Sequence, residues 1–219
     1  MLEYVTYVRR LREMLCNAFG NRLDYIGLQG SYLRGEATEN SDIDIMVVIS
    51  DLSADDLDIY RSILMQIGDY EKSCGFICST SDLAAWNPME ICNLLHSTKD
   101  IYGNLSTLVP PYKDMDVRNF ARLSLNNLHH EITHRYIHAS MEKNVSGLQN
   151  SYKQVFFILQ TLIYLSTGVF YQTKAQMFTV VTNEDKTVLE IASGIRQDLG
   201  FSESFEILFN WCHNHLLAL

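Results

Sequence analysis

The sequence predicts a small domain of mixed helices and strands, α/β or α+β, followed by a wholly helical bundle. Three observations carry this. Amphipathic stretches alternate with short β-branched runs through the first half of the chain. Two adjacent prolines, Pro110 and Pro111, interrupt regular structure in the middle. Beyond them the apolar spacing is helical, and no stretch needs to be a strand.

The elements follow in order. Residues 2–19 read as an amphipathic helix with Val5, Val8, Leu11, Leu15 and Phe19 on one face. Tyr25–Leu28 is a short strand leading into Gly30-Ser31. Ile43–Ile49 is apolar and β-branched, as a buried strand should be. Ser53 caps a helix that runs to about Glu71, with Asp56 in capping-box position. Cys74–Ser79 is a third strand. Asn87 and Pro88 supply a cap and a first-turn proline for a helix ending near His96. Asp100–Tyr102 is a last short strand. The run Val109-Pro110-Pro111-Tyr112 divides a domain of residues 1–108 from one of residues 109–219. Helices are then expected near 114–141, 147–167, 171–181, 183–198 and 202–217, with Gly168 and Gly200 at helix ends.

Composition narrows the function. The 219 residues are 47% hydrophobic and 20% charged, which is globular and enough for a real core. A net charge of -9 argues against an extended nucleic-acid surface. The five cysteines are odd in number and lack CxxC spacing, so neither a disulfide framework nor a zinc site is expected, and a reducing cytoplasm is the natural location. Arg9, Arg10 and Arg12 follow the start with no apolar core between, unlike a signal peptide. The longest apolar run, near Val155–Leu165, is broken by Gln160 and is too short for a bilayer.

The chemistry concentrates between Gly30 and Ile45. Gly30-Ser31 lies twelve residues before Asp42, and Asp42 and Asp44 are two apart at the start of the apolar strand. On a strand both carboxylates point to one face, where they repel unless a cation lies between them. Mg²⁺, a hard cation that takes one or two carboxylates plus phosphate oxygens, answers that need. A turn with free backbone N–H groups upstream suits the phosphates.

Gly30-Ser31, then Arg34-Gly35-x-Ala37, then Ser41-Asp42-Ile43-Asp44 resembles the signature of the DNA polymerase β-like nucleotidyltransferase superfamily. It is most similar to the bacterial minimal nucleotidyltransferases and the aminoglycoside or lincosamide nucleotidyltransferases. The resemblance covers about residues 1–105; the helical half looks like the bundle that accompanies the antibiotic enzymes. It implies an α+β fold with a small mixed β-sheet, followed by an all-α helical bundle. It also implies transfer of a nucleoside monophosphate, AMP from ATP for example, to a hydroxyl of a small-molecule acceptor such as an aminoglycoside. By this resemblance Asp42 and Asp44 are catalytic and hold Mg²⁺, and Gly30, Ser31, Arg34 and Ser41 meet the nucleotide. Lys153 is a further candidate, facing the nucleotide from the helical half. Family members often pair into dimers, so a homodimer is an expectation too.

One departure matters. The family usually carries a third carboxylate on the next strand, as general base or metal ligand. That strand here, Cys74-Gly75-Phe76-Ile77-Cys78-Ser79, has no acid. Glu71, Asp82 and Glu90 are the nearest substitutes, and Glu131 is the candidate from the helical half. Without a substitute, the alternative is a nucleotide-binding regulatory or antitoxin-like protein with weak or no catalysis. Other features read more plainly. His130, His134 and His138 share a helix face with His129 alongside, as polar lining or surface, with Glu131 facing elsewhere. Trp86 and Trp211 are packing anchors, and Cys74 and Cys78 buried fillers.

Overall fold

The computed structural model describes residues 4–219. The chain divides into two units, Met1–Tyr112 and Lys113–Leu219. In the first, helix α1 (Tyr4–Phe19) precedes strand β1 (Leu23–Leu28), short helix α2 (Gly30–Arg34) and strand β2 (Ile43–Ile49). Helix α3 (Ala54–Ile67), strand β3 (Ser73–Ser79), helices α4 (Thr80–Ala84) and α5 (Pro88–His96) and strand β4 (Lys99–Tyr102) complete it. The strands form one mixed sheet in the order β3-β2-β1-β4. β1 runs antiparallel to β2 and β4, and β2 runs parallel to β3. This is the α+β fold with a small mixed sheet that the resemblance implies.

The alternation of β2 divides its side chains between two cores. Ile43, Ile45, Val47 and Ile49 pack with Leu11, Leu15, Ile63 and Ile67 of α1 and α3. Met46 and Val48 pack on the opposite face with Tyr25, Cys78, Leu83 and Leu105. β3 approaches β2 closely at Gly75, where φ is +115° and a Cβ would strike the Ile45 backbone.

The second unit is helical throughout: α6 (Asp114–His138), α7 (Met141–Thr167), α8 (Lys174–Phe178), α9 (Asn183–Ala192) and α10 (Phe201–Ala218). Its separate core joins Leu125, Leu128 and Ile132 of α6 to Val155 and Leu159 of α7 and to Leu208 and Trp211 of α10. No helix among the described residues is long and apolar enough to cross a membrane.

Several boundaries differ from the sequence reading. Residues 2 and 3 of the first expected helix lie outside the described residues. Val5 is 62% exposed, and Tyr7 takes its place in the core because its hydroxyl reaches Ser73 Oγ at 2.7 Å. The Ser53–Asp56 capping box is present, but α3 stops at Ile67. Asp69 adopts a left-handed φ of 52°, and Glu71 falls in a separate 3-10 turn, Tyr70–Lys72. The first two bundle helices meet earlier than expected because Ser140 caps α7. α8 is a single short turn closed by a Thr173–Gln176 capping box. α2, five residues long, stands where the sequence reads as a glycine-serine turn, and α4, also five residues, is an element the sequence reading does not contain.

Candidate active site

Gly30 ends the strand-to-helix passage from β1 to α2 with φ +66°. A Cβ there would run into Asp44 Oδ2, so the glycine lets the loop lie directly on the carboxylate. The contact is fixed from both sides. Gln29 N–H donates to Asp44 O at 2.9 Å, extending the β1–β2 pairing, and Glu36 N–H donates to Ser31 O at 2.9 Å, closing the far end of α2. Gln29 starts α2 without a side-chain cap. The Ser31 hydroxyl, half-exposed beside it, makes no hydrogen bond among the described residues.

Asp42 and Asp44 bracket Ile43, which is fully buried. The buried isoleucine anchors the start of β2; Asp44 is half-buried and Asp42 exposed just before the strand. Ser41 positions the approach. Its Oγ accepts the Thr38 N–H at 2.8 Å, and its own N–H donates to Thr38 O at 3.1 Å, so the tight turn delivers Asp42 to the strand. Lys72 Nζ donates to Glu39 O at 2.8 Å and ties this loop to the turn before β3. Arg34 lies in the last turn of α2, and its Nε donates to Glu36 Oε2 at 2.9 Å. Its guanidinium is therefore shared with an acid beside the Gly30–Asp44 motif.

The residue the sequence reading missed is Cys74. β2 and β3 pair in register with Cys74 opposite Asp44. Cys74 is exposed, not a buried filler; Cys78 is buried as expected. Partial desolvation of the sulfur and the adjoining Asp44 carboxylate push the Cys74 thiol above its ordinary pKa, with the Asp42 charge adding to the effect. Nothing in the sequence marks this neighbour, because the register of a parallel pair is set by the fold.

The proposed substitutes for a third carboxylate are placed otherwise. Asp82 closes a capping box with Ser79 at the start of α4, and those hydrogen bonds hold its carboxyl below the usual range. It follows the opposite end of β3 from Cys74, about 16 Å along the strand at ~3.3 Å per residue. Glu90 Oε2 accepts Trp86 Nε1 at 2.5 Å. Glu131, in the second unit, has both oxygens engaged: Oε1 by Arg135 Nη1 at 2.7 Å and Ser151 Oγ at 2.8 Å, and Oε2 by Gln154 Nε2 at 2.8 Å. Glu131 also lines the same pocket as His130, His134 and His138, correcting the reading that it faces elsewhere. Among the described residues no group of three His, Cys, Asp or Glu side chains converges as a metal site. Lys153 lies in the second unit, exposed on α7.

The donor set at the first unit's site is thus two carboxylates with a thiol alongside. That fits Mg²⁺, which takes one or two carboxylates and fills its remaining positions with water and phosphate oxygens. It does not fit an all-protein metal cage.

Residues 8–76 match the family model of a nucleotidyltransferase domain. Among solved structures the chain is similar to spectinomycin adenyltransferase AAD(9) from Enterococcus faecialis, solved with ATP and spectinomycin. The TM-score is 0.61 at 16% identity, covering 97% of this chain and 99% of that one, which shows a shared fold. A toxin–antitoxin structure solved with AMP-PNP covers 59% of this chain and 92% of its own at 20% identity; its TM-score of 0.33 is too low to establish a common fold. No curated protein sequence matches the chain. The family match spans the Gly30 loop, both aspartates and the part of β3 that carries Cys74, so it is the first unit that matches a nucleotidyltransferase domain.

Proposed function

We propose that the protein transfers a nucleoside monophosphate, AMP from ATP, to a hydroxyl of a small-molecule acceptor with Mg²⁺ bound at Asp42 and Asp44. The observation that carries this is the Gly30 loop lying on Asp44: at φ +66° and with no room for a Cβ against the carboxylate, glycine brings a phosphate-binding type of turn onto Asp44. The ATP-bound and spectinomycin-bound neighbour of like fold supports ATP as donor and a small-molecule acceptor.

In this reading the backbone around Gly30 and the Ser31 hydroxyl hold the β- and γ-phosphates. Arg34 adds positive charge at the end of α2, tempered by Glu36. Ser41 acts through the turn that orients Asp42. Bound Mg²⁺ supplies charge neutralisation on the phosphates and lowers the pKa of the attacking hydroxyl. The acceptor oxygen bonds to the α-phosphorus, the bridging bond to the β-phosphate breaks, pyrophosphate leaves and the hydroxyl proton passes to solvent.

A second reading has a specific observation behind it. Cys74 lies opposite Asp44 on β3, the strand on which a third carboxylate is expected and which has no acid, and a protonated thiol is a poor base and a poor ligand for Mg²⁺. The protein would then bind nucleotide in a regulatory role with slow chemistry. Calorimetric titration of a non-hydrolysable ATP analogue, with and without Mg²⁺, tests the site. Binding that needs Mg²⁺ and is lost in Asp42→Asn and Asp44→Asn supports it, and binding indifferent to both aspartates overturns it. Pyrophosphate release with an acceptor panel then separates transfer from binding alone.

A further inference from the structure

We infer that the helical unit carries a second ligand site, a pocket for a small molecule with an anionic group and an apolar body. The pocket, of about 530 Å³, lies between α7 and the segment joining α9 to α10. Its size is that of an ordinary small-molecule site. Lys153 and Arg196 line it, and no Asp or Glu does. In a chain with 26 acids against 17 Lys and Arg, two cations without an accompanying acid are a local reversal of charge. Neither side chain forms an ion pair among the described residues.

The helix ends agree with this sign. α10 begins at Gly200 with no side-chain cap, and Phe201 and Ser204 of its first turn line the pocket. The N–H groups of Phe201, Ser202 and Glu203 are therefore available to an acceptor atom, while that of Ser204 donates to Gly200 O at 3.0 Å. The opposing carboxyl end of α9 is already closed. Leu189, Glu190 and Ile191 carbonyls accept from Ser193, Ile195 and Gly194, and Glu190 accepts from Arg196 as well. The negative helix end is thus spent internally while the positive end stays open.

The rest of the lining suits an apolar body. Leu148 and Tyr152 form a buried base, with Leu199 and Phe201 as walls. The base is rigid, since Tyr152 Oη donates to Ser204 O at 2.8 Å and ties α7 to α10. Polycationic ligands are disfavoured by the same two cations. This site is independent of the nucleotide site: it uses no residue of the first unit and needs no Mg²⁺. It gives Lys153 a partner in its own unit, Arg196.

Protein-observed NMR on the full chain tests this, with phenyl phosphate and phenylacetate as probes and inorganic phosphate, phenol and phenethylamine as comparators. One or both anionic aryl probes should move the amide signals of Gln149, Gly194 and Gln197. They should bind at least about tenfold more tightly than phenol, as one charge-assisted contact predicts. Arg196→Gln and Lys153→Gln should each weaken binding by roughly tenfold, with the unfolding midpoint unchanged because neither side chain is buried. Asp42→Asn should bind the probes as the wild type does, which separates this site from the nucleotide site. Equal binding of phenol, no effect of Arg196→Gln, shifts confined to other residues, or no binding of either anionic probe overturns the proposal.

Discussion

Cys74 pairs opposite Asp44 in the parallel β2–β3 register, and the neighbouring carboxylate helps to hold its thiol above the ordinary pKa. A neutral thiol therefore adjoins Asp44 on the strand where the resemblance leads one to expect a third carboxylate. Cys74→Asp converts the pair into a three-carboxylate set. Added like charge destabilises the protein without metal, by about 1 kcal/mol for a group this exposed. Bound Mn²⁺ or Mg²⁺ more than offsets it. The expected outcome is a lower unfolding midpoint without metal and a larger midpoint rise on adding Mg²⁺ than wild type shows. Thermal unfolding with and without metal checks both. An identical metal response in the two proteins would mean that position 74 does not face the ion.

Gly30→Ala tests the loop itself. The substitution strains the backbone at φ +66° by about 1–2 kcal/mol, and the new methyl collides with Asp44 Oδ2. The carboxylate end is the softer partner, so Asp44 rotates away rather than the strand moving. Nucleotide binding in the presence of Mg²⁺ should fall by at least about tenfold, while the protein stays folded. Calorimetry and circular dichroism on the same sample check the two halves of this expectation. Retained binding would show that the loop and Asp44 are not used together.

The first unit also contains an ion pair whose pH dependence has a definite sign. Arg22 grips Asp56 with two hydrogen bonds, Nη1 to Oδ2 at 2.9 Å and Nη2 to Oδ1 at 2.7 Å. Ser53 donates to the same carboxylate from its backbone and its hydroxyl. The Arg22 contact first, and the Ser53 contacts next, hold the Asp56 carboxyl well below the usual carboxylate range. A group whose pKa falls on folding stabilises the fold above its unfolded pKa, about 4. That contribution is lost as pH drops through the lower folded value. Asp56→Asn should therefore lower the urea midpoint at neutral pH, and the gap to wild type should close as pH falls below about 4. A gap that is constant with pH would assign the effect to the capping hydrogen bonds alone.

These relationships differ in how far the sequence discloses them. Ile43–Ile49, the Ser53–Asp56 box and the Asn87-Pro88 helix start are legible because each signal lies within a few residues of the structure it sets. The motif from Gly30 to Asp44 is legible for a similar reason, as residue type and spacing are read together. Cys74 is not, because its place beside Asp44 depends on strand register between segments thirty residues apart. Tyr7 displacing Val5 is hidden likewise, since it depends on Ser73 arriving from β3. The same limit applies to the substitute acids. Asp82, Glu90 and Glu131 are equivalent as letters, and only their partners in space show that each is committed elsewhere.

Glu131 makes that commitment measurable. Its carboxylate collects Arg135, Ser151 and Gln154, and Ser151 is fully buried between α6 and α7. Hydrogen bonds from Arg135, Gln154 and Ser151 outweigh desolvation and hold its carboxyl below the usual range, so it is ionised at neutral pH. A residue in that state orders the bundle and does not serve as a base. Glu131→Ala leaves the Arg135 and Ser151 groups short of a partner and should cost about 1–3 kcal/mol. Glu131→Gln keeps the shape and one acceptor oxygen and should cost less. Neither variant should alter Mg²⁺-dependent nucleotide affinity or the pH profile of pyrophosphate release under conditions where both are folded. Loss of release in Glu131→Gln with stability retained would instead make Glu131 the missing base, and would remove the argument that Cys74 sets the chemistry of this site.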